Sequence, residues 1–217
     1  MEDGLPEGAV TAIARFPDGF IWLTTPRHVV RFDGVEFVSC PQENFPESRP
    51  PRFKSLLRDR RGRVWVAGEN SVMRFDGGRW RQVPLQGEVD ASRGSPWRFY
   101  TPDGTMMQSP HLVLFWVKEH PDGTVWVASN AGMYRESGHS LALVPPAAGT
   151  VAGTFYSADM DAAGAVWLSS AMGLFVFDGE VYAQADEPEA MKRDTWFQVF
   201  AGHGDALWCK HPDGRMF

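Results

Sequence analysis

The chain of 217 residues has little cysteine, no run of basic residues and no long apolar segment. Its two cysteines, Cys40 and Cys209, define neither a disulfide framework nor a metal site, and they fit a reducing or an oxidising compartment. The 21 basic residues are scattered among 27 acidic ones, and the net charge of -6 argues against nucleic acid as a partner. No apolar run approaches the roughly 20 residues that cross a bilayer, and the polar start of the chain is unlike a secretion signal. The sequence as given predicts a soluble chain.

Aromatic residues and turn residues, by contrast, are abundant. There are nine tryptophans and fifteen phenylalanines, together with 22 glycines and 16 prolines. Large side chains divided by frequent turn residues favour many short strands over long helices. The hydrophobic content of 43% is enough for a chain of this length to bury a core, so we expect a folded protein.

An internal repeat is centred on a tryptophan. Five segments align on it without gaps: GFIWLTTPRHVVRF at Trp22, GRVWVAGENSVMRF at Trp65, GTVWVASNAGMYR at Trp126, GAVWLSSAMGLFVF at Trp167 and DALWCKHPDGRMF at Trp208. The tryptophans are 43, 61, 41 and 41 residues apart. One unit is therefore about 41 residues long, which is the size of a propeller blade, and the second interval holds an insertion of roughly 20 residues.

Each unit predicts four antiparallel strands. An apolar strand leads into a turn that often reads Pro-Asp-Gly, the tryptophan strand follows, and a third strand ends at an Asp-Gly hairpin before a short outer strand. We predict an all-β fold, a single β-propeller domain over 1–217 with about four complete blades and a partial fifth. The blades lie near 10–38, 52–83, 112–144, 154–183 and 196–217, and the insertion covers 84–110. The aromatic residues are interpreted as core and the repeated aspartates as turn formers.

This repeat resembles the two-component regulator propeller repeat. The segments DRRGRVWVAGENSVMRFDG (59–77) and DAAGAVWLSSAMGLFVFDG (161–179) carry the resemblance best, and GLPEGAVTAIARFPDGFIW (4–22) is similar to the start of the first blade in such proteins. The resemblance implies the ligand-sensing propeller of a hybrid two-component sensor, in a family where many members respond to oligosaccharides. It also implies a periplasmic or other extracytoplasmic location, while a cytoplasmic location stays open.

The chain departs from the family pattern in several ways. The third copy has Glu136-Ser137-Gly138 in place of Asp-Gly, and the fifth copy stops at Phe217 before any outer strand. Family propellers commonly have seven blades, so we expect a fragment whose open blade edges allow self-association. No kinase, receiver or DNA-binding segment is present, and we expect the signalling output in a domain or partner outside this chain.

Motifs for catalysis and for cofactors are scarce. The Asp-x-x-Gly-x-x-Trp spacing comes near the Asp-box of sialidases, but that box is a turn-forming motif, and no nucleophile stands out beside a base. The six histidines lack metal-site spacing, and His120 and His211, which both precede Pro-Asp-Gly, are interpreted as turn chemistry. We expect no enzyme activity, no metal and no cofactor.

The candidate ligand-binding surface is the rim where the turn between the second and third strands meets the loops between blades. The alignment places polar side chains of mixed type there, suited to a small polar ligand such as a sugar: Arg27, His28, Glu69, Asn70, Asn130 and His211. The insertion predicts an extra hairpin around Pro102-Asp103-Gly104, and its Trp97 and Tyr100 are candidates for stacking on a sugar ring.

Three functions remain open at this point. The first is a sensor or binding module for a polar ligand such as an oligosaccharide, the second a scaffold that binds another polypeptide, and the third a propeller hydrolase or lyase. A concave polar pocket would favour the sensor, and a large apolar patch would favour the scaffold. Carboxylates converging at a central channel would be needed for an enzyme.

Overall fold

The computed structural model describes residues 4–16, 19–40, 52–69, 71–76, 78–86, 97–100, 106–109, 112–144, 155–170, 172–186, 198–202, 206–211 and 213–217. For 97–100 and 106–109 it describes the backbone. All regular elements in these ranges are β-strands, as the sequence predicted. A search of the same ranges finds no helix of the length and hydropathy that a bilayer requires.

Four sheets repeat one antiparallel order of consecutive strands. The first contains β1 (Ala12–Arg15), β2 (Ile21–Thr24), β3 (Val29–Phe32) and β4 (Phe37–Ser39). The second contains β5 (Ser55–Arg58), β6 (Val64–Ala67), β7 (Val72–Asp76) and β8 (Arg79–Val83). The third contains β12 (Leu114–Glu119), β13 (Val125–Ser129), β14 (Gly132–Ser137) and β15 (Ser140–Val144), and the fourth β16 (Phe155–Met160), β17 (Val166–Ser170), β18 (Gly173–Phe177) and β19 (Tyr182–Gln184). Each is the unit expected of a propeller blade.

The remaining strands are shorter. A fifth sheet pairs β20 (Gln198–Ala201) with β21 (Leu207–Lys210), and a single bridge joins Lys210 to Met216. The hairpin predicted in the insertion is present as β10 (Trp97–Tyr100) and β11 (Met106–Ser109). Sequence reasoning missed β9 (Leu85–Gln86), which pairs parallel with β15 and adds a fifth strand to the third sheet. Two residues are too few to show a strand periodicity.

The chain divides into two compact units: Met1–Gln86 with Leu114–Val127 and Arg135–Ala142, and Gly87–Val113 with Ala128–Tyr134 and Leu143–Phe217. We call them unit 1 and unit 2. The single-domain assignment stays a prediction.

The core of unit 1 is an aromatic and aliphatic cluster between its first two sheets. Phe16 stacks on Trp22 with ring centroids 5.6 Å apart, and Phe75 packs on Trp80 at 5.3 Å. Burial of such side chains is the main stabilising contribution, at about 25 cal/mol per Å² of apolar surface. The buried members of the cluster are Phe16, Trp22, Val29, Phe53, Val64, Val66, Met73 and Trp80.

In unit 2, the Tyr182 side chain contacts residues of several strands. Its ring stacks on Phe155 at 5.7 Å, and its hydroxyl accepts a hydrogen bond from the Met133 amide at 2.8 Å. The same hydroxyl donates to the Val144 carbonyl at 2.9 Å. Burial raises the pKa of Tyr182, with the Met133 hydrogen bond opposing it, so the phenol stays protonated and keeps its donor.

The repeated aspartate forms the first turn of two blades, as the sequence predicted. In the second sheet one oxygen of Asp59 accepts the Arg63 amide at 2.9 Å, and the other accepts the indole N–H of Trp65 at 2.8 Å. In the fourth sheet Asp161 binds the Ala165 amide at 2.9 Å and the indole of Trp167 at 3.0 Å. The carboxylate therefore fixes both the turn and the tryptophan six residues later.

Candidate functional site

One backbone hydrogen bond recurs between neighbouring sheets and defines the candidate rim. The amide at the start of a sheet donates to a carbonyl in the turn between the second and third strands of the sheet before it. In unit 1 Phe53 donates to Pro26 at 3.1 Å and Leu114 donates to Glu69 at 2.8 Å; in unit 2 Phe155 donates to Asn130 at 3.2 Å. These bonds bring the two loop classes together locally, as the sequence analysis assumed.

Hydroxyl groups hold three of these turns rigid. Ser129 donates to the Gly132 carbonyl at 2.7 Å and accepts from the Ala131 amide at 3.0 Å, and Ser170 makes the same pair with Gly173 and Met172. In the first sheet the Thr25 hydroxyl accepts the His28 amide at 3.0 Å. All three hydroxyl residues are fully buried, so the rim side chains project from a fixed backbone.

Arg27 and His28 lie together around a carboxylate that the sequence analysis missed. Glu7 accepts the Arg27 amide at 3.1 Å, and its oxygens lie 3.6 Å from the Arg27 guanidinium and 3.8 Å from the His28 ring. A hydrogen bond from the Thr25 side chain is the largest cause that lowers the pKa of Glu7, and burial opposes it. Glu7 is consequently ionised at neutral pH, which attaches the segment before β1 to this turn.

A second charged group lies at the start of the second sheet. The Glu69 carboxylate is 3.8 Å from the Arg52 guanidinium, and both side chains are exposed. Lys54 is close enough to both for their charges to affect its pKa. Arg52 and Lys54 were not among the predicted site residues, although extending the alignment to the residues around Phe53 would have found them.

Asn130 and His211 have structural contacts in unit 2. Asn130 is buried, and its side-chain oxygen accepts the Val113 amide at 2.9 Å. His211 lies 2.8 Å from Asp213 in the turn after β21, where the Gly214 amide donates to the His211 carbonyl at 2.9 Å. That contact supports the interpretation of His211 as turn chemistry. Ligand binding by either residue stays a prediction.

Three predicted site residues cannot be placed. Asn70 lies outside the described residues, and so do the side chains of Trp97 and Tyr100, whose backbones form β10. Among the side chains that the structure describes, no group of three or more His, Cys, Asp and Glu residues is arranged to hold a metal ion.

A buried ion network joins charged side chains of the second and third sheets in unit 1. Glu136 receives two hydrogen bonds from the Arg63 guanidinium, one of them 2.9 Å long, and lies 3.9 Å from Arg74. Asp59 accepts a further bond from Arg63 at 2.6 Å. The two guanidinium groups lie over the Trp65 ring, 5.0 and 5.3 Å from its centroid. The departure from the repeat at Glu136 is therefore an ion pair between the second and third sheets.

Searches for related sequences gave no match: no protein-family model and no curated protein is similar to the chain. Solved structures do match. The extracellular domain of BT4673, a candidate one-component system of B. thetaiotaomicron, superposes with a TM-score of 0.65 at 14% identity over 97% of the chain. The fold is a β-propeller. The predicted fold class is thereby confirmed: the described residues include four sheets that each contain four consecutive antiparallel strands, and the two-stranded sheet of β20 and β21.

Two further structures support this assignment. The extracellular domain of BT3049, a candidate hybrid two-component system of the same bacterium, gives a TM-score of 0.63 at 12% identity over 94% of the chain. An inactive variant of virginiamycin B lyase from Staphylococcus aureus, in complex with quinupristin, gives 0.64 at 15% identity over 94%. The chain spans 28%, 26% and 64% of the BT4673, BT3049 and lyase chains. The first two agree with the resemblance to the two-component regulator propeller repeat.

Proposed function

We propose that the chain is a ligand-sensing β-propeller module of a signalling protein, located outside the cytoplasm, which recognises a small polar ligand such as an oligosaccharide. Charged side chains of both signs gathered on the rim of unit 1 are the observation that carries this proposal. They belong to Glu7, Arg27, His28, Arg52, Lys54 and Glu69. Binding there is signalled to an output domain or partner protein.

The chemistry of this rim suits a sugar. Sugar hydroxyls donate and accept hydrogen bonds, and the rim offers guanidinium and ammonium donors beside carboxylate acceptors. The turn that carries Arg27 and His28 is already ordered by the buried Thr25 hydroxyl, so little conformational entropy is lost there on binding. The structural similarity to extracellular domains of signalling proteins supports the sensory role and the location. We propose no catalytic step.

A thermal-shift screen against a panel of neutral and acidic oligosaccharides tests this proposal. A ligand that binds the folded state alone stabilises it by about 2.7 kcal/mol at 100 times its Kd, so the unfolding midpoint rises. An R27A/R52A variant is expected to lose the shift, and an R79A/R81A variant, which removes two exposed cations from β8, is expected to keep it. If no saccharide raises the midpoint at millimolar concentration, the sensor proposal is wrong.

A second candidate, protein binding, is favoured by apolar side chains exposed on the fifth sheet. Phe200, Trp208 and Met216 are 44 to 51% exposed, and Phe200 and Trp208 are paired across the two strands. At the position of Ile13 three other repeats bury Val117, Ala158 or Val199 and one partly buries Leu56, whereas Ile13 is 67% exposed. A second copy of the chain is the occupant we propose, with Ile13 of one copy against Trp208 of the other.

Sedimentation of mixed variants tests that association. I13E and W208E are each expected to be monomeric, while their mixture forms a dimer, because each variant keeps the half that the other has lost. A wild-type chain that stays monomeric at all concentrations would exclude the second candidate.

A further inference from the structure

Three cations of unit 1 surround a single backbone hydrogen bond. Phe53 donates to the Pro26 carbonyl at 3.1 Å, Arg27 follows Pro26, and Arg52 and Lys54 flank Phe53. Consecutive Cα atoms are about 3.8 Å apart, so the Cα atoms of the three cations lie within roughly 13 Å of one another. At that spacing the long side chains of the two arginines and the lysine can contact the same small ligand. We call Arg27, His28, Arg52 and Lys54 the basic junction.

Carboxylates neutralise the basic junction only in part. Glu7 and Glu69 face three permanent cations, Arg27, Arg52 and Lys54, in a protein whose net charge is -6. The ion-pair distances of 3.6 Å to Arg27 and 3.8 Å to Arg52 exceed those of direct hydrogen bonds. Both guanidinium groups therefore keep donors for a ligand.

Lys54 is the most distinctive member of the junction. Phe53, immediately before it, is fully buried, whereas Lys54 itself is exposed. Among the residues that the structure describes, no carboxylate forms an ion pair with the Lys54 ammonium group. Burial nevertheless lowers the pKa of Lys54, with the Glu69 charge opposing and the Arg52 charge adding to it.

We propose that the basic junction binds an anionic group, a carboxylate or a sulfate, carried by the saccharide that the sensor recognises. The inference rests on the proposed function and specifies its ligand class. A guanidinium group can donate two parallel hydrogen bonds to two oxygens of a carboxylate or sulfate, and the lysine ammonium adds a positive charge. Neutral sugars need no such surplus of cations, since hydroxyls are satisfied by uncharged donors and acceptors.

Calorimetric titration of matched ligands tests the inference. The probes are an oligogalacturonate and its fully methyl-esterified form, and a sulfated oligosaccharide and its desulfated form. We expect at least one acidic probe to bind ten-fold or more tightly than its neutral match, and to weaken as salt rises. K54Q should lose about ten-fold of that affinity, equivalent to roughly 1.4 kcal/mol, while R81Q should keep it. Unchanged unfolding midpoints verify that both variants are folded.

The outcomes separate the two proposals. If neutral and acidic probes bind equally and K54Q has no effect, the anion site is wrong and the sensor proposal stands. If no saccharide binds, the sensor proposal is wrong, and titration with inorganic sulfate then examines the junction alone. If sulfate binds to the wild type and to R81Q but not to K54Q, the anion site stands without a sugar. If sulfate does not bind to the wild type, the anion site is wrong as well.

Discussion

Trp65 and Trp208 occupy the same place in the repeat, yet their surroundings differ completely. Trp65 is fully buried, its indole N–H is bound to Asp59, and two guanidinium groups lie over its ring. Trp208 is 50% exposed, and the position six residues before it is Gly202. A Cβ at Gly202 would lie 2.8 Å from the Trp208 ring nitrogen, so the indole packs where a turn aspartate would otherwise stand. The repeat fixes the strand and the direction of the side chain, but burial depends on what covers the sheet.

The largest expected effect comes from truncating these two tryptophans. W65A removes a fully buried ring and leaves a cavity, so we expect the free energy of unfolding to fall by about 3–5 kcal/mol. W208A removes a ring that is half exposed, and its effect should stay below about 1.5 kcal/mol. Urea unfolding followed by circular dichroism measures both. Equal losses would show that Trp208 is buried in solution.

Charge burial provides the next contrast. E136Q leaves the Arg63 and Arg74 guanidinium groups without their shared carboxylate, and breaking such a pair costs about 3 kcal/mol. The exposed Asp213–Arg215 pair serves as the control, since solvent screens that pair and D213N should cost much less than E136Q. Urea unfolding of both variants at low and high salt measures the difference. A loss for E136Q no larger than for D213N would contradict a buried network.

A smaller effect is expected where the aspartate serves a turn and an indole. D161N retains one acceptor oxygen but replaces the other with an amide that cannot accept the Trp167 N–H, so we expect a loss of about 1–2 kcal/mol. D178N, in an exposed outer hairpin, keeps one oxygen that can accept both the Glu180 and Val181 amides, and no indole is involved, so its loss should be smaller. Thermal unfolding measures the stability of both variants. Equal losses would show that the hydrogen bond to the Trp167 indole contributes nothing to stability.

The smallest effect is a dependence on acid. Burial raises the pKa of Asp122, but hydrogen bonds from the Thr124 backbone and side chain and from His120 outweigh it and lower the pKa to about 2. A carboxylate whose pKa is lower in the folded state stabilises the fold at pH values above 3.8, the pKa in the unfolded chain. This contribution is lost as the pH falls toward 2. The unfolding midpoint of the wild type should therefore drop across this window by more than that of D122N. If the midpoints of the wild type and D122N fall equally with pH, the hydrogen bonds to Asp122 do not lower its pKa.

Much of the fold could be predicted from the sequence because its signals are local. The Asp-Gly turns and the strand alternation act within a few residues, and the repeated tryptophan marks where each unit recurs; together they predicted the four-stranded sheets. The hairpin of β10 and β11 was predicted in the same way from Pro102-Asp103-Gly104. The parallel pairing of β9 was missed, because it joins residues 85 and 141, which are distant in the chain.

The candidate site was predicted less completely. The alignment found Arg27, His28 and Glu69, since they stand at fixed positions after a tryptophan. It missed Glu7 and Lys54, which reach the same rim from segments outside the aligned windows. Asn130 has the predicted position and a polar side chain, but burial and the bond to Val113 give that side chain a structural contact.

The sequence by itself determined which residues form strands and turns, since the backbone preferences of Asp, Gly and Pro and the alternation of side chains are properties of short segments. Tertiary structure alone decided which equivalent residues are buried, paired or exposed. Trp65 and Trp208 differ because packing against another sheet supplies one ring with neighbours, and the charges at Glu7 and Lys54 act on the rim because long-range contacts bring them there. Burial and charge proximity depend on distances through space, which no repeat along the chain specifies.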